Sequence, residues 1–361
     1  MLICFFGYPN ESYSRNKILI DGLKKNGIKV ISCTDKNGFF PIRAWRLFAK
    51  FWPLKKEVDL IFVQFPGYLN MPIAWAIGKL FRKPIIFDAF VSIYDTYIYD
   101  REIAKPNSPT AWFYWWVDKI ACTLADIVTL DTNAHIRYFI KTFHLNKKKF
   151  FRIPVGGDET LFHPSKLQRS GVMRRKIVIE FHGMFTKIHG AETFVRVSKQ
   201  LENHPDLEFW LIGDSHNYRL PIELYHQLKP KNMHYWPRLT ETTLAKKISQ
   251  ADISIGHLGS TQKAKMVMTN KMYHALASQV ALVAADNAAS REFLTDKKNA
   301  YFIKHNDEAH LKKAVLSLTK NKKLRQKLAT NGYVLHQNQF TNQQISLKLL
   351  QVISQHFPHI R

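Results

Sequence analysis

The sequence predicts an α/β protein built as two doubly wound domains in series. Three observations carry that expectation. At 361 residues the chain is longer than one ordinary domain of roughly 100–200 residues. Apolar runs of strand length alternate with segments of helical periodicity, the signature of βαβ units around a parallel sheet. The alternation pauses once, at the polar and basic stretch 163–175 with Pro164, Ser165, Ser170 and Gly171, and then restarts.

Taken in order, residues 2–6 (LICFF) read as a buried strand and residues 8–16 as a polar loop. Residues 17–26 carry Ile18, Leu19 and Leu23 at helical spacing, and Gly27 is a natural stop. Strands follow at 29–33, 60–65, 84–87, 127–130 and 151–155. Beyond the pause come a strand at 176–181, a helix at 191–203 and a strand at 207–212. A helix at 240–250, a strand at 252–255, a helix at 270–277 and a strand at 280–284 complete the second series. Residues 341–356 place Ile345, Leu347, Leu349, Leu350 and Ile353 on a final helix. The expected division is an N-terminal domain at 1–165 and a C-terminal domain at 172–340, with 341–361 packing back on the first. Ligands of doubly wound domains bind beyond the carboxyl ends of the strands. Two such domains point to a cleft between them.

No charge occurs between Asp59 and Lys79, nearly the length of a membrane span. Gln64, Pro66, Gly67, Asn70 and Pro72 interrupt it, so a strand, a loop and a helix start are expected instead. Apolar residues at 46% and charged residues at 22% exclude a disordered chain. The net charge of +25 means a surface that attracts anions: nucleotides, nucleic acid or anionic lipid. Neither a helix-turn-helix nor a zinc-finger spacing accompanies it, so no specific nucleic-acid partner is expected. Cys4, Cys33 and Cys122 stand alone, which argues against a disulfide framework or a structural zinc site and fits a reducing cytoplasm. The start, MLICFFGYPN, lacks a basic n-region, so no signal peptide is expected.

Several stretches share an order and spacing with one family. They are FFGYPNESYSRNKILIDGLKKNGIKV (5–30), KPIIFDAFVSIYDT (83–96), ADIVTLDTNAHIRYF (125–139) and IPVGGDETLFHP (153–164). FHGMFTKIHGAETFV (181–195) and ADISIGHLGSTQKAKMVMTNKMYHALASQVALVAADNAASREFL (251–294) follow. Together they resemble the group-1 retaining glycosyltransferases of the GT-B fold, family GT4. The resemblance implies two Rossmann-like domains, a nucleotide-sugar donor in the second, an acceptor in the first, and no obligatory metal or cofactor. Four positions depart from the pattern. The family usually has Glu where His274 stands and a second Glu at Met266, and its phosphate-site Arg and Lys are replaced by Met184 and His189.

A donor diphosphate without a metal needs Arg, Lys and helix N-termini around it. The donor-site candidates are therefore Gly183, Lys187, His189, Asp214, Lys263, Lys265, Asn270, Lys271 and His274. The lysines precede or open the 270–277 helix, and Gly183 and Gly190 permit close backbone approach. Asp214 ends a strand at a ligand-facing turn, and His274 is placed for the ribose. The competing readings are solvated lysines, a turn aspartate and a core histidine. In the first domain Gly7, Arg15 and Asn16 form an acceptor or phosphate loop, or else cap the following helix. Asp88 and Asp95 are the candidate catalytic carboxylates, orienting the acceptor or stabilising an oxocarbenium-like state, or else turn residues. The resemblance implies that the leaving phosphate takes the acceptor's proton.

Residues 36–56 hold Lys36, Arg43, Arg46, Lys50, Lys55 and Lys56 with no acidic residue, interleaved with Phe39, Phe40, Trp45, Phe48, Phe51 and Trp52. Arg43, Arg46 and Lys50 share one helical face, and Trp45, Phe48 and Trp52 another. A basic amphipathic helix of this kind suits an anionic membrane surface; the plain alternative is packing on the sheet. The run WFYWW at 112–116 is either core or acceptor groove. The expected activity is sugar transfer to a lipid-linked or glycan acceptor at the inner face of a membrane. The alternatives are a nucleotide-sugar hydrolase or epimerase, and a non-catalytic GT-B module that binds a glycan or a partner enzyme.

Overall fold

The computed structural model describes residues 1–165, 176–215 and 217–360. The polar stretch that separates the two series therefore lies largely outside the described residues. The chain divides into two compact units: Met1–Val155 with Asn342–Arg361, and Gly156–Thr341.

In the first unit, strands β1 (Leu2–Gly7), β2 (Lys29–Thr34), β3 (Leu60–Val63), β4 (Ile85–Phe90), β5 (Ile127–Leu130) and β6 (Phe150–Arg152) form one parallel sheet. Their order is β2-β1-β3-β4-β5-β6. Strand order reverses between β1 and β3, so the first crossover runs one way and the rest the other. β3 and β4 are buried along their whole length. Helices on both faces of a parallel sheet produce that near-continuous apolar run. The 59–79 segment is β3, a turn at Tyr68–Asn70 and the start of the Met71–Phe81 helix. Among the described residues no helix is long and apolar enough to cross a membrane.

The second unit holds β7 (Ile177–His182), β8 (Leu207–Ile212), β9 (Met233–Trp236), β10 (Ile253–Ile255), β11 (Ala281–Ala285) and β12 (Tyr301–Ile303), again all parallel. The order β12-β11-β10-β7-β8-β9 is the Rossmann order, with its switch point between β7 and β10.

Several elements differ from the sequence expectation. The first helix begins at Ser14 rather than Lys17. Ser14, Arg15 and Asn16 look like loop by polarity, but Arg15 and Asn16 turn inward and are fully buried. The short strands β9 and β12 have no counterpart in the sequence reading. Both are edge strands with mixed burial, so neither shows a clear apolar run. The last helix, Asn342–His356, lies against the Ser14–Lys25 helix. Gly22 permits this: a Cβ there would fall 1.9 Å from the Asn342 carbonyl oxygen. Asn26 Nδ2 adds hydrogen bonds to Ser346 Oγ (2.7 Å) and the Gln343 carbonyl (3.1 Å).

Candidate functional site

At the switch point of the second unit, β7 runs directly into Gly183, whose φ of +134° a side chain would strain. The loop closes at Gly190, which opens the Ala191–Gln200 helix. Facing Gly183 is Lys271, second residue of the Asn270–Ala277 helix. A Cβ on Gly183 would come within 3.4 Å of Lys271 Cε and 3.5 Å of its Nζ. Lys271 is 3% exposed. Its Nζ lies 3.6 Å above the Phe181 ring and has no hydrogen-bond partner among the described residues. Burial holds the amine well below its ordinary pKa, and the nearby Glu180 carboxylate pulls it partly back. An amine placed in this way lacks an acceptor, and an anion at the helix start would supply one.

Around it the other candidates take different parts. His189 is half-buried with Nδ1 against the Met184 carbonyl. Burial, then the charge of Lys271, push its pKa well down. Its ring is therefore neutral at pH 7, with Nδ1–H donating to the carbonyl and Nε2 left to accept. Cationic capacity rests with the lysines instead. Lys263 is buried, and Lys187 and Lys265 are exposed. The loop carrying Lys263 and Lys265 is held by His257, fully buried just beyond β10, whose Nε2 lies 2.8 Å from the Ala264 carbonyl. Burial, then His305, push His257 down to about 3. Asp214 serves a turn: its Oδ1 accepts from the Ser215 amide at 2.6 Å, and its carbonyl accepts from the Phe185 amide.

His274 stands at the end of a buried chain of polar groups. Ser254 Oγ donates to Glu180 Oε1. Glu180 Oε2 lies 2.9 Å from His182 Nδ1, and His182 Nε2 lies 3.1 Å from His274 Nδ1. Phe162 stacks on the His274 ring with centroids 3.8 Å apart and planes within 8°. Burial, followed by His182, His336 and Lys271, holds His274 well below the ordinary histidine pKa.

Residues 175–321, which hold this whole arrangement apart from Phe162, match the family described as "Glycosyl transferases group 1". Residues 175–321 thus match a group 1 glycosyltransferase domain, and the chain has the GT-B fold. Its fold is similar to that of Anabaena Alr3699/HepE, solved in complex with UDP. Identity there is 15% and the TM-score 0.73, over 98% of this chain and 100% of that one. Sucrose-phosphate synthase from Thermosynechococcus elongatus has a TM-score of 0.76 at 14% identity, over 99% and 100% of the two chains. A glycosyltransferase from Rickettsia africae has a TM-score of 0.67 at 14% identity, over 98% of each chain. No curated protein matches the sequence.

In the N-terminal unit, two of the candidate residues meet each other. Arg15 Nε and Nη2 donate to both oxygens of Asp88 at 2.7 Å, and Nη1 donates to the Ile153 carbonyl at 2.9 Å. Thr129 Oγ1 adds a 2.6 Å bond to Asp88 Oδ1. Arg15 is 1% exposed and Asp88 0%. This pair ties β4 and β5 to the first helix and occupies the polar atoms of both candidates. Asn16 Nδ2 donates to the Asn10 and Phe65 carbonyls. Gly7 packs on Asn70, whose Nδ2 would lie 2.7 Å from an added Cβ. Asp95 is buried at the start of the helical segment Asp95–Asp100, with its amide on Ser92 Oγ. Ser92 Oγ, Tyr94 N and Ile93 N all donate to Asp118, a carboxyl that burial raises to about 7.

The Phe40–Phe51 helix is more aromatic and less basic at its surface than its sequence indicates. Arg43 is buried, its Nη1 3.3 Å from the Asn37 carbonyl, and Lys50 binds the Thr34 carbonyl and Asp35. Arg46 remains exposed, and Trp45 and Trp52 stand out at 69% and 48%. The next two helices, Met71–Phe81 and Pro109–Leu124, pack successively beside it. They expose Trp75, Leu80, Trp112, Phe113, Trp116 and Ile120. The WFYWW run is thus split, with Trp112, Phe113 and Trp116 outward and Trp115 half-buried.

Sequence reasoning gave no site role to Glu180, His182, Ser254, His257 or Phe162. One signal was present: Glu180 and His182 are two apart in an otherwise apolar strand, hence on the same face.

Proposed function

We propose that this glycosyltransferase moves a sugar, with retention of anomeric configuration, from a nucleoside-diphosphate sugar to a membrane-associated glycan or glycolipid. The product belongs to polysaccharide or lipopolysaccharide-type assembly at the cytoplasmic face of a membrane. The observation that carries the donor half is Lys271: a buried amine without a partner, at a helix start, on the switch point of a Rossmann-ordered sheet. Hydrogen bonds from that amine and from the Asn270–Ala277 helix start neutralise the diphosphate as it leaves. Lys263, Lys265 and Lys187 supply the surrounding positive field, and His274 takes a ribose hydroxyl. The leaving phosphate oxygen accepts the acceptor's proton, so transfer needs no carboxylate base. Asp95 remains the carboxylate of the first unit that orients the acceptor. HepE was also solved with UDP-glucose, which supports a donor of this class on this fold.

The acceptor half rests on the exposed aromatics of three adjacent helices. Among the described residues those helices carry one carboxylate, Asp118, and it is fully buried. Tryptophan-rich, carboxylate-poor faces with Arg46 and Lys79 between them suit the headgroup layer of an anionic membrane.

A second reading, nucleotide binding without transfer, draws on Met184, exposed where the family carries a cation, and on the neutral His189. Incubation of the chain with radiolabelled UDP-, GDP- and ADP-sugars and a glycolipid extract separates the two. Labelled glycolipid with the donor's anomeric configuration is the expected result. Tight nucleotide binding with no transfer to any acceptor supports the second reading.

A further inference from the structure

The chain Ser254–Glu180–His182–His274 is continuous, buried as far as the half-buried His274, and made of groups that fix one another's protons. Glu180 is fully buried on β7, and one oxygen already accepts from Ser254 Oγ. Its other oxygen, 2.9 Å from His182 Nδ1, requires a proton on that nitrogen. A neutral imidazole carries only one, so His182 Nε2 is bare and accepts. The group facing it at 3.1 Å is His274 Nδ1, which must then carry the proton of its own ring. That leaves His274 Nε2 without one. Phe162, stacked flat on His274, fixes the ring plane in which Nε2 points.

We infer that Glu180 and His182 are positioning residues that lock His274 in its Nδ1–H tautomer and so make its Nε2 a dedicated acceptor for a ligand hydroxyl. The inference rests on the reading that the nucleotide sits at this helix, and it specifies what part of the nucleotide His274 selects. A ribose hydroxyl can donate to Nε2. A group that only accepts, such as fluorine at the same carbon, meets lone pair with lone pair. The relay thus does by tautomer what a carboxylate does by charge, in a pocket where an additional anion near Glu180 would be costly.

The test uses the full chain labelled with ¹⁵N-histidine at pH 8, with the His274 ring signals identified by their loss in His274→Gln. The expected spectrum has His274 protonated at Nδ1 and bare at Nε2; protonation at Nε2 overturns the inference without any ligand or further variant. Calorimetry then compares UDP, GDP and ADP with their 2′-fluoro and 3′-fluoro analogues. One hydrogen bond of ordinary strength predicts a preference of about fivefold for the hydroxyl at one of the two carbons. In Glu180→Gln, Ser254 keeps the amide oxygen and the amide NH₂ faces His182, so the tautomers reverse and the preference falls below about twofold. A fluoro preference unchanged in folded Glu180→Gln overturns the positioning role. Folded wild-type chain that shows the expected tautomer but binds none of the three diphosphates overturns the nucleotide reading and leaves the relay standing.

Discussion

Replacing Lys271 with methionine separates the two costs that its position implies. The amine is 3% exposed, has no hydrogen-bond partner among the described residues, and lies 3.6 Å over the Phe181 ring. A buried polar group without a partner costs about 1–3 kcal/mol. The N–H contact with the ring returns about 0.5–1 kcal/mol. Methionine fills a similar volume and keeps an aromatic contact through sulfur. Lys271→Met is therefore expected to stabilise the chain by about 1 kcal/mol, a rise of roughly 2–4 °C in melting temperature for a unit of this size. The same change removes a charge-assisted hydrogen bond to the diphosphate, of about 1.5–3 kcal/mol, so affinity falls roughly 10- to 150-fold. Urea denaturation and calorimetric titration on the same preparation measure both. Because burial holds the free amine well below its ordinary pKa, diphosphate binding should also take up protons, visible as a dependence of the heat on buffer ionisation enthalpy. Loss of stability together with unchanged affinity would refute the reasoning, because Lys271 would then be a packing residue.

Asp88→Ala should destabilise the chain by about 3–5 kcal/mol, because it strands the buried Arg15 guanidinium; a stable but inactive variant in urea denaturation and transfer assays would restore the catalytic reading. His257 and His336 are pushed down to about 3 and about 4, below their unfolded values, so the unfolded chain binds more protons in acid. Stability is then full above about pH 6.5 and declines toward pH 4, by about 2 kcal/mol per histidine at pH 5; a flat stability between pH 7 and 5 contradicts that. Serine at Trp45, Trp112 and Trp116 should cut sedimentation with phosphatidylglycerol vesicles severalfold, whereas charge reversal at buried Arg43 should act mainly through stability. Equal sedimentation of the triple variant returns the three helices to an ordinary surface.

The parallel-sheet architecture was legible because β1, β3, β7 and β11 are dense apolar runs separated by amphipathic segments. The edge strands β9 and β12 were not, because half-exposed strands of three or four residues carry no distinctive period. In the donor region, lysines at a helix start and glycines after a strand have local signatures, so Gly183 and Lys271 could be named in advance. Their opposite environments could not: Lys271 is buried and Lys265, six residues earlier, is exposed. The N-terminal unit shows the limit more sharply. Arg15 and Asp88 were each placed near strand ends, but the pairing spans 73 positions, and only the register of β4 against the first helix brings them together. The Glu180–His182 pair was readable as two polar residues on one strand face, while its continuation to His274 spans a further 92 positions.

The central claim is that the switch point of the second unit holds a nucleoside diphosphate on Lys271. The most direct measurement is calorimetric titration of the purified chain with UDP, GDP, ADP and CMP and their common sugar conjugates, repeated on Lys271→Met. Selective binding of one diphosphate, lost or weakened at least tenfold in the more stable variant, is the predicted result. Folded chain that binds none of them, or binds one equally well without Lys271, contradicts it.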